Sequence, residues 1–322
     1  MIKTAICFNE KGRKVTEELN RAFCASGIDP ADVYDLSDKK CGILLHDLVK
    51  SEFPAGHPLI FVGAVGIAVR AVSGCIKDKL SDVPVVVIDD NAGFVIPILS
   101  GHAGGANKLA AMIAELLGAI PVITTSTDIN DAFSADVFAS ENRLTVRNRE
   151  GIKKVAVKAL EGKPVTLSIK DYPPAGEVDI IIADETDGEY SLLLSSKPYV
   201  IGIGARKGID PGDLDRYIMS TIKEHKIEID DIYALATVDI KENERAIKEF
   251  STKHRIPVIS FEASLLKRAK GDFTGSDFVE QTVGVDNVCE RAAVLAAGPG
   301  GELLVQKQTG EGMTLAVARR HH

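Results

Sequence analysis

The sequence predicts an α/β protein: an N-terminal and a C-terminal α/β domain with mostly parallel sheets, joined by a small α/β middle module. Two observations lead to this prediction. Short runs of β-branched and apolar residues alternate with segments in which apolar residues recur at helical spacing, which is typical of parallel sheets with crossover helices. At 322 residues, the chain is also too long for one ordinary core.

This alternation divides the chain into three parts. It is regular up to about residue 130, weakens over residues 131–197, and resumes after Lys197-Pro198. We therefore predict an N-terminal α/β domain over residues 1–130, a middle linking module over residues 131–197, and a C-terminal α/β domain over residues 198–320.

The N-terminal domain has the clearest pattern. Strands are expected over residues 3–8, 59–63, 84–89, 95–99 and 120–127, and helices over residues 14–25, 107–117 and the apolar segment that contains Arg70. Ligands of such sheets usually lie beyond the carboxyl ends of the strands. We therefore expect the loops after residues 62, 99 and 123 to open on one edge of the sheet.

Strands and helices are also predicted in the middle module and in the C-terminal domain. In the middle module, strands are expected over residues 165–169, 179–183 and 190–194. In the C-terminal domain, strands are expected over residues 199–204, 233–238, 257–261, 302–306 and 313–318, and helices over residues 214–224 and 289–297. Asp210-Pro-Gly-Asp213 is a helix-start signal before the first of these helices.

Composition restricts the class of partner. Hydrophobic residues make up 45% of the chain and charged residues 26%, as in soluble globular proteins, and the net charge is −8. The chain has no overall basic field, so we expect neither nucleic acid nor an anionic membrane as its main partner. Its five cysteines are dispersed and form no Cys-x-x-Cys pair, which fits reduced thiols and a cytoplasmic location. We expect a small-molecule substrate and no metal site built from the protein.

The most informative segment is Leu99-Ser-Gly-His-Ala-Gly-Gly-Ala-Asn107, which connects a predicted strand to a predicted helix. We call residues 100–105 the His102 corner. Its glycines permit a sharp turn and close approach of a ligand, and a helix N-terminus directs N–H groups towards an anion. The same pattern also serves helix–strand packing alone, and a histidine at a helix start is often only a cap. The residues by themselves leave both interpretations open.

A second glycine-rich segment, Gly202-Ile-Gly-Ala-Arg-Lys-Gly208, is superficially similar to a dinucleotide-binding motif. Its third glycine falls one position late, and no acidic residue follows at the expected distance, so a nicotinamide or flavin site is disfavoured. Arg206 and Lys207 suit a carboxylate or a phosphate, because arginine can bind such groups in a bidentate manner. Solvated loop cations are an equal alternative.

With these segments in view, the chain resembles the CbiG family of cobalamin biosynthesis, the cobalt-precorrin-5A hydrolases. The resemblance rests on motifs in sequence order over nearly the whole chain. They are Gly63-Ala-Val-Gly-Ile-Ala-Val-Arg70, Lys79 and Asp82 before Pro84-Val-Val-Val-Ile-Asp89, the His102 corner through Asn107, Pro121-Val-Ile-Thr-Thr-Ser-Thr-Asp128, Gly202-Ile-Gly204, Thr237-Val-Asp-Ile-Lys-Glu-Asn-Glu244, residues 284–293 and Leu303-Leu-Val-Gln-Lys307. Ala205 departs from the family pattern, because many members have cysteine there, and this argues against an essential thiol.

The resemblance implies a substrate and a reaction. The substrate is a cobalt-containing, ring-contracted tetrapyrrole whose ring-A acetate is closed as a δ-lactone. The reaction opens that lactone and releases a two-carbon fragment as acetaldehyde, which makes the protein a hydrolase of a carbon–carbon bond. Cobalt arrives inside the substrate, so the resemblance implies no cofactor of the protein's own.

The residues can be assigned roles in this chemistry. His102 is the expected base, since imidazole exchanges protons near neutral pH, and Asn107 is expected to orient it or to donate directly. Ser100 completes the expected catalytic set. The N–H groups of Gly104, Gly105 and Ala106 are expected to form an oxyanion hole. The expected substrate-binding residues are Gly101, Gly104, Gly105, Ala106, Arg70, Lys79, Lys108, Thr124, Thr125, Arg206 and Lys207.

Two other functions stay open at this point. The chain could be a non-catalytic carrier that binds tetrapyrroles or anions, or, less well supported, a nucleotide-dependent oxidoreductase. A tetrapyrrole is most easily bound in a cleft between domains, so we expect the substrate there. The sequence does not determine the oligomeric state, and a homodimer is one option.

Overall fold

The computed structural model describes residues 3–38, 42–78, 81–102, 104–130, 132–169, 178–276, 280–281 and 283–321. The chain divides into two compact units, Met1–Ser195 and Ser196–His322. Residues of the predicted middle module thus belong to the same unit as those of the predicted N-terminal domain. The three-domain division itself stays a prediction.

The first sheet has six strands in the order β2-β1-β3-β4-β5-β6. They are β1 (Thr4–Cys7), β2 (Asp32–Asp35), β3 (Leu59–Val62), β4 (Val85–Ile88), β5 (Phe94–Leu99) and β6 (Ile120–Pro121). Paired strands are parallel, except that β4 and β5 are antiparallel. Strands β1, β3 and β4 are buried along their whole length, which explains why their sequences are nearly continuous apolar runs.

Helices pack on both faces of this sheet. They are α1 (Glu10–Ala25), α2 (Leu45–Glu52), α3 (Val65–Val72), α4 (Ala106–Leu117) and the short α5 (Ser126–Ile129). One apolar cluster packs α1 and α4 on the sheet through Leu19 and Ile113, among others. A second cluster packs α2 and α3 on the sheet through Val49 and Val72. Alternate residues of the central strands enter the two clusters, so both faces are covered.

The antiparallel pairing of β4 and β5 decides which loops share an edge. Leu99, at the end of β5, pairs with Val85 at the start of β4, whereas Val62 at the end of β3 pairs with Ile88 at the end of β4. The expectation that the loops after residues 62 and 99 open on one edge is therefore wrong. Strand β6 runs parallel to β5, so the loop that follows β6 leaves on the edge of the His102 corner.

The second sheet belongs to the same unit and has the order β7-β10-β9-β8. Its strands are β7 (Thr145–Val146), β8 (Leu167–Ile169), β9 (Val178–Ile182) and β10 (Tyr190–Ser195), and its helices are α6 (Ala135–Glu141) and α7 (Arg149–Leu160). Helix α7 packs closely on β10, because a Cβ added to Gly151 would lie 2.2 Å from the carbonyl oxygen of Ser191. An ion pair of 2.9 Å between Arg149 and Asp78 links this part to the first sheet.

The second unit contains one sheet in the order β13-β12-β11-β15-β14. Its strands are β11 (Tyr199–Ala205), β12 (Ile232–Val238), β13 (Val258–Phe261), β14 (Glu302–Gly310) and β15 (Met313–Arg319), and its helices are α8 (Pro211–Glu224), α9 (Arg245–His254), α10 (Ala263–Leu266) and α11 (Cys289–Ala297). Strands β11, β12 and β13 are parallel, and the hairpin of β14 and β15 is antiparallel. The Asp210 carboxylate caps α8 by accepting N–H bonds from Gly212 and Asp213, as its helix-start signal predicts.

The predicted α/β class with mostly parallel sheets is confirmed. The predicted strand over residues 120–127 is wrong beyond Pro121, because only Ile120–Pro121 pair in register with β5 and Ser126–Ile129 are helical. Sequence reasoning did not identify β2, α2, α6, α7, α9 or α10. Among the described residues, no helix has the length and apolar character needed to cross a membrane.

Candidate active site

The His102 corner is a compact turn in which several positions have little steric freedom. Ser100 has a φ of 56° and Gly105 a φ of 87°, both in the left-handed region that L side chains seldom adopt. A Cβ added to Gly104 would lie 2.3 Å from the Cβ of Ser100, and one added to Gly101 would lie 2.7 Å from Oδ1 of Asn107. The glycines are therefore needed by the turn itself, whatever else the corner binds.

Three N–H groups where the corner enters α4 are engaged by the turn. Gly105 donates to the carbonyl of His102 at 2.8 Å, and Ala106 donates to the carbonyl of Ser100 at 3.0 Å. Asn107 likewise donates to the carbonyl of Gly101 at 3.0 Å. The expectation that the N–H groups of Gly105 and Ala106 form an oxyanion hole is wrong, because the preceding turn already accepts these hydrogens.

His102 lies in a network of hydroxyl groups and one carboxylate. Its Nδ1 is 2.9 Å from Oγ of Ser134 and 3.5 Å from Oδ1 of Asp136, and its Nε2 is 2.7 Å from Oγ1 of Thr127. Ser134 in turn donates to the carboxylate of Asp136. The side chain of His102 is 14% exposed, so the ring is mostly enclosed but reaches the surface. We call these four residues the His102 network.

The hydrogen-bond directions in the His102 network follow from the number of protons available. An ionised carboxylate only accepts hydrogens, so the single hydroxyl proton of Ser134 is directed to Asp136. Oγ of Ser134 must then accept from Nδ1–H of His102, which leaves Nε2 as the basic nitrogen. Thr127 therefore donates its hydroxyl proton to Nε2. This order of bonds fixes both the tautomer and the orientation of the imidazole.

Ser100 and Asn107 face other partners. The Ser100 hydroxyl donates to the carbonyl of Asp82 at 2.7 Å, so its proton is directed away from His102. Asn107 is buried and donates from Nδ2 to Oγ1 of Thr125 at 3.0 Å, which ties the start of α4 to the loop before α5. Both residues hold the corner in place, and Thr125 contacts the start of α4 through Asn107. The expectation that Thr125 binds the substrate stays a prediction.

The remaining predicted site residues are more dispersed. Lys108 forms an exposed ion pair with Glu141. The guanidinium of Arg70 folds back over Gly66, in the first turn of α3, which follows the end of β3 and not the His102 corner. Thr124 is exposed in the loop after β6. Lys79 lies outside the described residues.

In the second unit, Arg206 and Lys207 are exposed after β11. The aliphatic part of Arg206 covers Gly312, where an added Cβ would lie 2.8 Å from Cδ of Arg206. Gly202 serves packing, because a Cβ there would lie 1.8 Å from the carbonyl oxygen of Cys289 in α11. This close contact explains why residue 202 is glycine, so a bound dinucleotide is not needed to account for it.

No three His, Cys, Asp or Glu side chains gather as metal ligands within the part of the chain that the structure describes. The expectation that the chain needs no cofactor of its own stays a prediction.

Sequence reasoning missed three members of the His102 network. The sequence predicts a strand at Thr127, whereas this residue lies in α5 and is only 9% exposed. Ser134 and Asp136 are at the start of α6, in a segment whose periodicity is weak. One signal was available, because Ser-x-Asp before an apolar run is typical of a helix start. Nothing in the sequence indicates that this helix start faces His102.

The chain is similar to known proteins over most of its length. Residues 47–128 match the family model "Cobalamin synthesis G N-terminal", and residues 199–318 match "Cobalamin synthesis G C-terminus". The chain is 32% identical to the cobalt-precorrin-5A hydrolase of Salmonella typhimurium strain LT2, over 84% of each chain. It is 27% identical to the enzyme of the same name from Priestia megaterium, over 97% of this chain and 93% of that one.

A solved structure of a cobalamin biosynthesis protein G homologue from Sulfolobus solfataricus is 21% identical to this chain. It superposes with a TM-score of 0.41 and covers 99% of this chain and 97% of its own. The two family models match in order along the chain, and the relatives span most of its length. The chain therefore belongs to the CbiG family of cobalamin biosynthesis proteins.

Proposed function

We propose that this protein is a cobalt-precorrin-5A hydrolase that opens the ring-A δ-lactone of its substrate and releases acetaldehyde to give cobalt-precorrin-5B. The names of its relatives support the substrate and the hydrolytic step. The observation that best supports a catalytic role is the His102 network, since it presents an oriented basic nitrogen beside a hydroxyl group.

Lactone opening requires a group that accepts the proton of the attacking oxygen and returns it to the leaving oxygen. The contact of Nδ1 with Ser134 supports Nε2 of His102 as the nitrogen that takes this role. When Nε2 takes up a proton, the imidazolium charge develops 3.5 Å from the carboxylate of Asp136. That carboxylate stabilises the charge and keeps the ring oriented, as the acidic member of a catalytic triad does.

The second step breaks a carbon–carbon bond. Once the lactone is open, the freed alcohol loses its proton, the bond to the macrocycle breaks, and acetaldehyde forms. The electron pair passes into the conjugated macrocycle, so the substrate supplies its own electron sink. The same base, His102, can accept the alcohol proton in this step.

Two exposed apolar residues lie close in sequence to members of the His102 network. Ile129 is 64% exposed and Phe133 is 38% exposed, and these residues follow Thr127 and precede Ser134 in the chain. Phe133 and Leu160 also line a cavity of about 540 Å³. Exposed apolar side chains of this kind can pack against the ring system of a conjugated macrocycle.

The test is anaerobic incubation of the purified protein with cobalt-precorrin-5A, with trapping of acetaldehyde and mass analysis of the tetrapyrrole. We expect stoichiometric acetaldehyde and conversion to cobalt-precorrin-5B with multiple turnovers. The alternative function, a carrier that binds tetrapyrroles without chemistry, predicts binding of the intermediate and no acetaldehyde above the level of a protein-free control.

A further inference from the structure

We infer that Thr127 is the nucleophile of the hydrolytic step, so that the lactone is opened by the protein and not directly by water. The inference rests on the proposed function for its substrate, but its geometry is independent of it. The hydroxyl of Thr127 is 2.7 Å from Nε2 of His102, a distance typical of a nucleophile and its base.

The inference depends on the direction of this hydrogen bond, which we deduce from the protons of the neighbouring groups. In the neutral imidazole, Nδ1–H donates to Ser134, whose own proton goes to Asp136, so Nε2 accepts the proton of Thr127. A hydroxyl that donates to an oriented imidazole can transfer its proton as its oxygen attacks. Thr127 is thus the nucleophile and His102 the base. Asp136 is the orienting acid, and the hydroxyl of Ser134 lies between base and acid.

Ser100 carries the side-chain hydroxyl of the corner, and its backbone has the positive φ often seen at a nucleophile on a sharp turn. Its proton, however, is donated to the carbonyl of Asp82 at 2.7 Å. Ser134 directs its proton to Asp136 and accepts from the imidazole. Among the hydroxyls of the corner and the network, Thr127 is therefore the one whose proton is directed to the basic nitrogen.

The step balances as an acyl transfer. Oγ1 of Thr127 attacks the lactone carbonyl carbon while its proton moves to Nε2, and the carbonyl electron pair moves onto oxygen. When the carbonyl reforms, the ring C–O bond breaks, and the leaving oxygen takes the proton back from Nε2. Water then attacks the Thr127 ester with His102 as base, which releases the acetate side chain and restores the threonine. The net reaction consumes one water.

The test uses p-nitrophenyl acetate, a small activated ester that reports a nucleophile independently of the natural substrate. The wild-type protein, quenched in acid, is expected to gain the mass of one acetyl group on the peptide that contains Thr127. Thr127→Ser is expected to retain this adduct, and Thr127→Val to lose it. Thr16→Val is the matched control, because Thr16 is a buried threonine in α1 that donates to the carbonyl of Gly12. It should label as the wild type does.

With cobalt-precorrin-5A, Thr127→Val is expected to slow turnover by at least about 10³-fold, and Thr127→Ser to retain much of the rate. The inference is overturned if the wild type carries no adduct, if the adduct lies on another residue, or if Thr127→Val turns over within a few-fold of the wild type. An adduct on Thr127 in a protein that releases no acetaldehyde from cobalt-precorrin-5A would support the nucleophile and contradict the proposed function instead.

Discussion

The imidazole of His102 and the carboxylate of Asp136 come within 3.5 Å of each other, although one follows β5 and the other begins α6. Ser134 bridges them by accepting from the imidazole and donating to the carboxylate. The catalytic site that we propose is therefore built from both sides of the domain boundary that the sequence predicts at residue 130. The helix after that boundary supplies the groups that orient the base.

Asp136→Asn is expected to lower turnover without unfolding the protein. The amide has the shape of the carboxylate, but it has no negative charge to stabilise the imidazolium and can donate to Ser134, which permits the other tautomer of His102. We expect kcat to fall by more than about 10²-fold with a nearly unchanged KM. Steady-state acetaldehyde release, with circular dichroism as the folding control, measures this. Unchanged kcat would mean that Asp136 only anchors α6.

The two glycines of the His102 corner are expected to respond differently to alanine. Gly104→Ala places a methyl group 2.3 Å from Cβ of Ser100 and 2.6 Å from its carbonyl oxygen, so the backbone must move. The methyl group of Gly105→Ala would lie in open space, so the expected loss of stability is only that of a left-handed φ in alanine, about 1 kcal/mol. Urea unfolding should show a larger loss of stability, and activity assays a larger loss of rate, for Gly104→Ala. Equal losses would show that the backbone around Gly104 shifts easily to admit a methyl group.

In the second unit, Asp286 provides a pH-dependent contribution to stability. Hydrogen bonds from Arg291, at 2.9 and 3.2 Å, hold the pKa of this carboxyl below its ordinary value, against the effect of partial burial. A depressed pKa in the folded state adds stability above the ordinary value, and this stability is lost as the pH falls through the folded-state pKa. Asp286→Asn should therefore unfold more easily than the wild type at neutral pH.

The stability difference between Asp286→Asn and the wild type should disappear in acid. Chemical unfolding curves for the wild type and Asp286→Asn are expected to converge once the pH is well below the ordinary value of an aspartate. A stability difference that stays constant from neutral pH to acid would show that the asparagine perturbs packing and that the charge of Asp286 contributes nothing.

Thiol reactivity should separate the cysteines by burial. Burial raises the pKa of Cys7 and of Cys289 to about 11, whereas Cys24 is exposed. Because the thiolate is the reactive form, iodoacetamide at neutral pH should label Cys24 in the native protein and leave Cys7 and Cys289 unlabelled until denaturant is added. Peptide mapping reads this directly, and native labelling of Cys289 would contradict the packing of α11 on β11.

The central strands of the first sheet could be predicted because burial on both faces leaves continuous apolar runs, as in β3 and β4. The direction of β5 could not be predicted. Its antiparallel pairing with β4 depends on a tight turn and on long-range packing, which the periodicity of the sequence does not encode. For the same reason, the sequence predicts His102 as a site residue but not its partners. Thr127 and Asp136 become recognisable only when the fold brings α5 and α6 to the corner.

If His102 transfers protons during turnover, as we propose, its replacement by glutamine must remove that transfer, and the kinetics of His102→Gln measure the loss. Glutamine has a similar length and can hydrogen-bond Thr127 and Ser134, but it is not a base. We predict that kcat for acetaldehyde release from cobalt-precorrin-5A falls by about 10²–10⁴-fold while KM changes little. A variant that turns over at the wild-type rate when saturated, and only requires more substrate, would contradict the account and reduce His102 to a binding group.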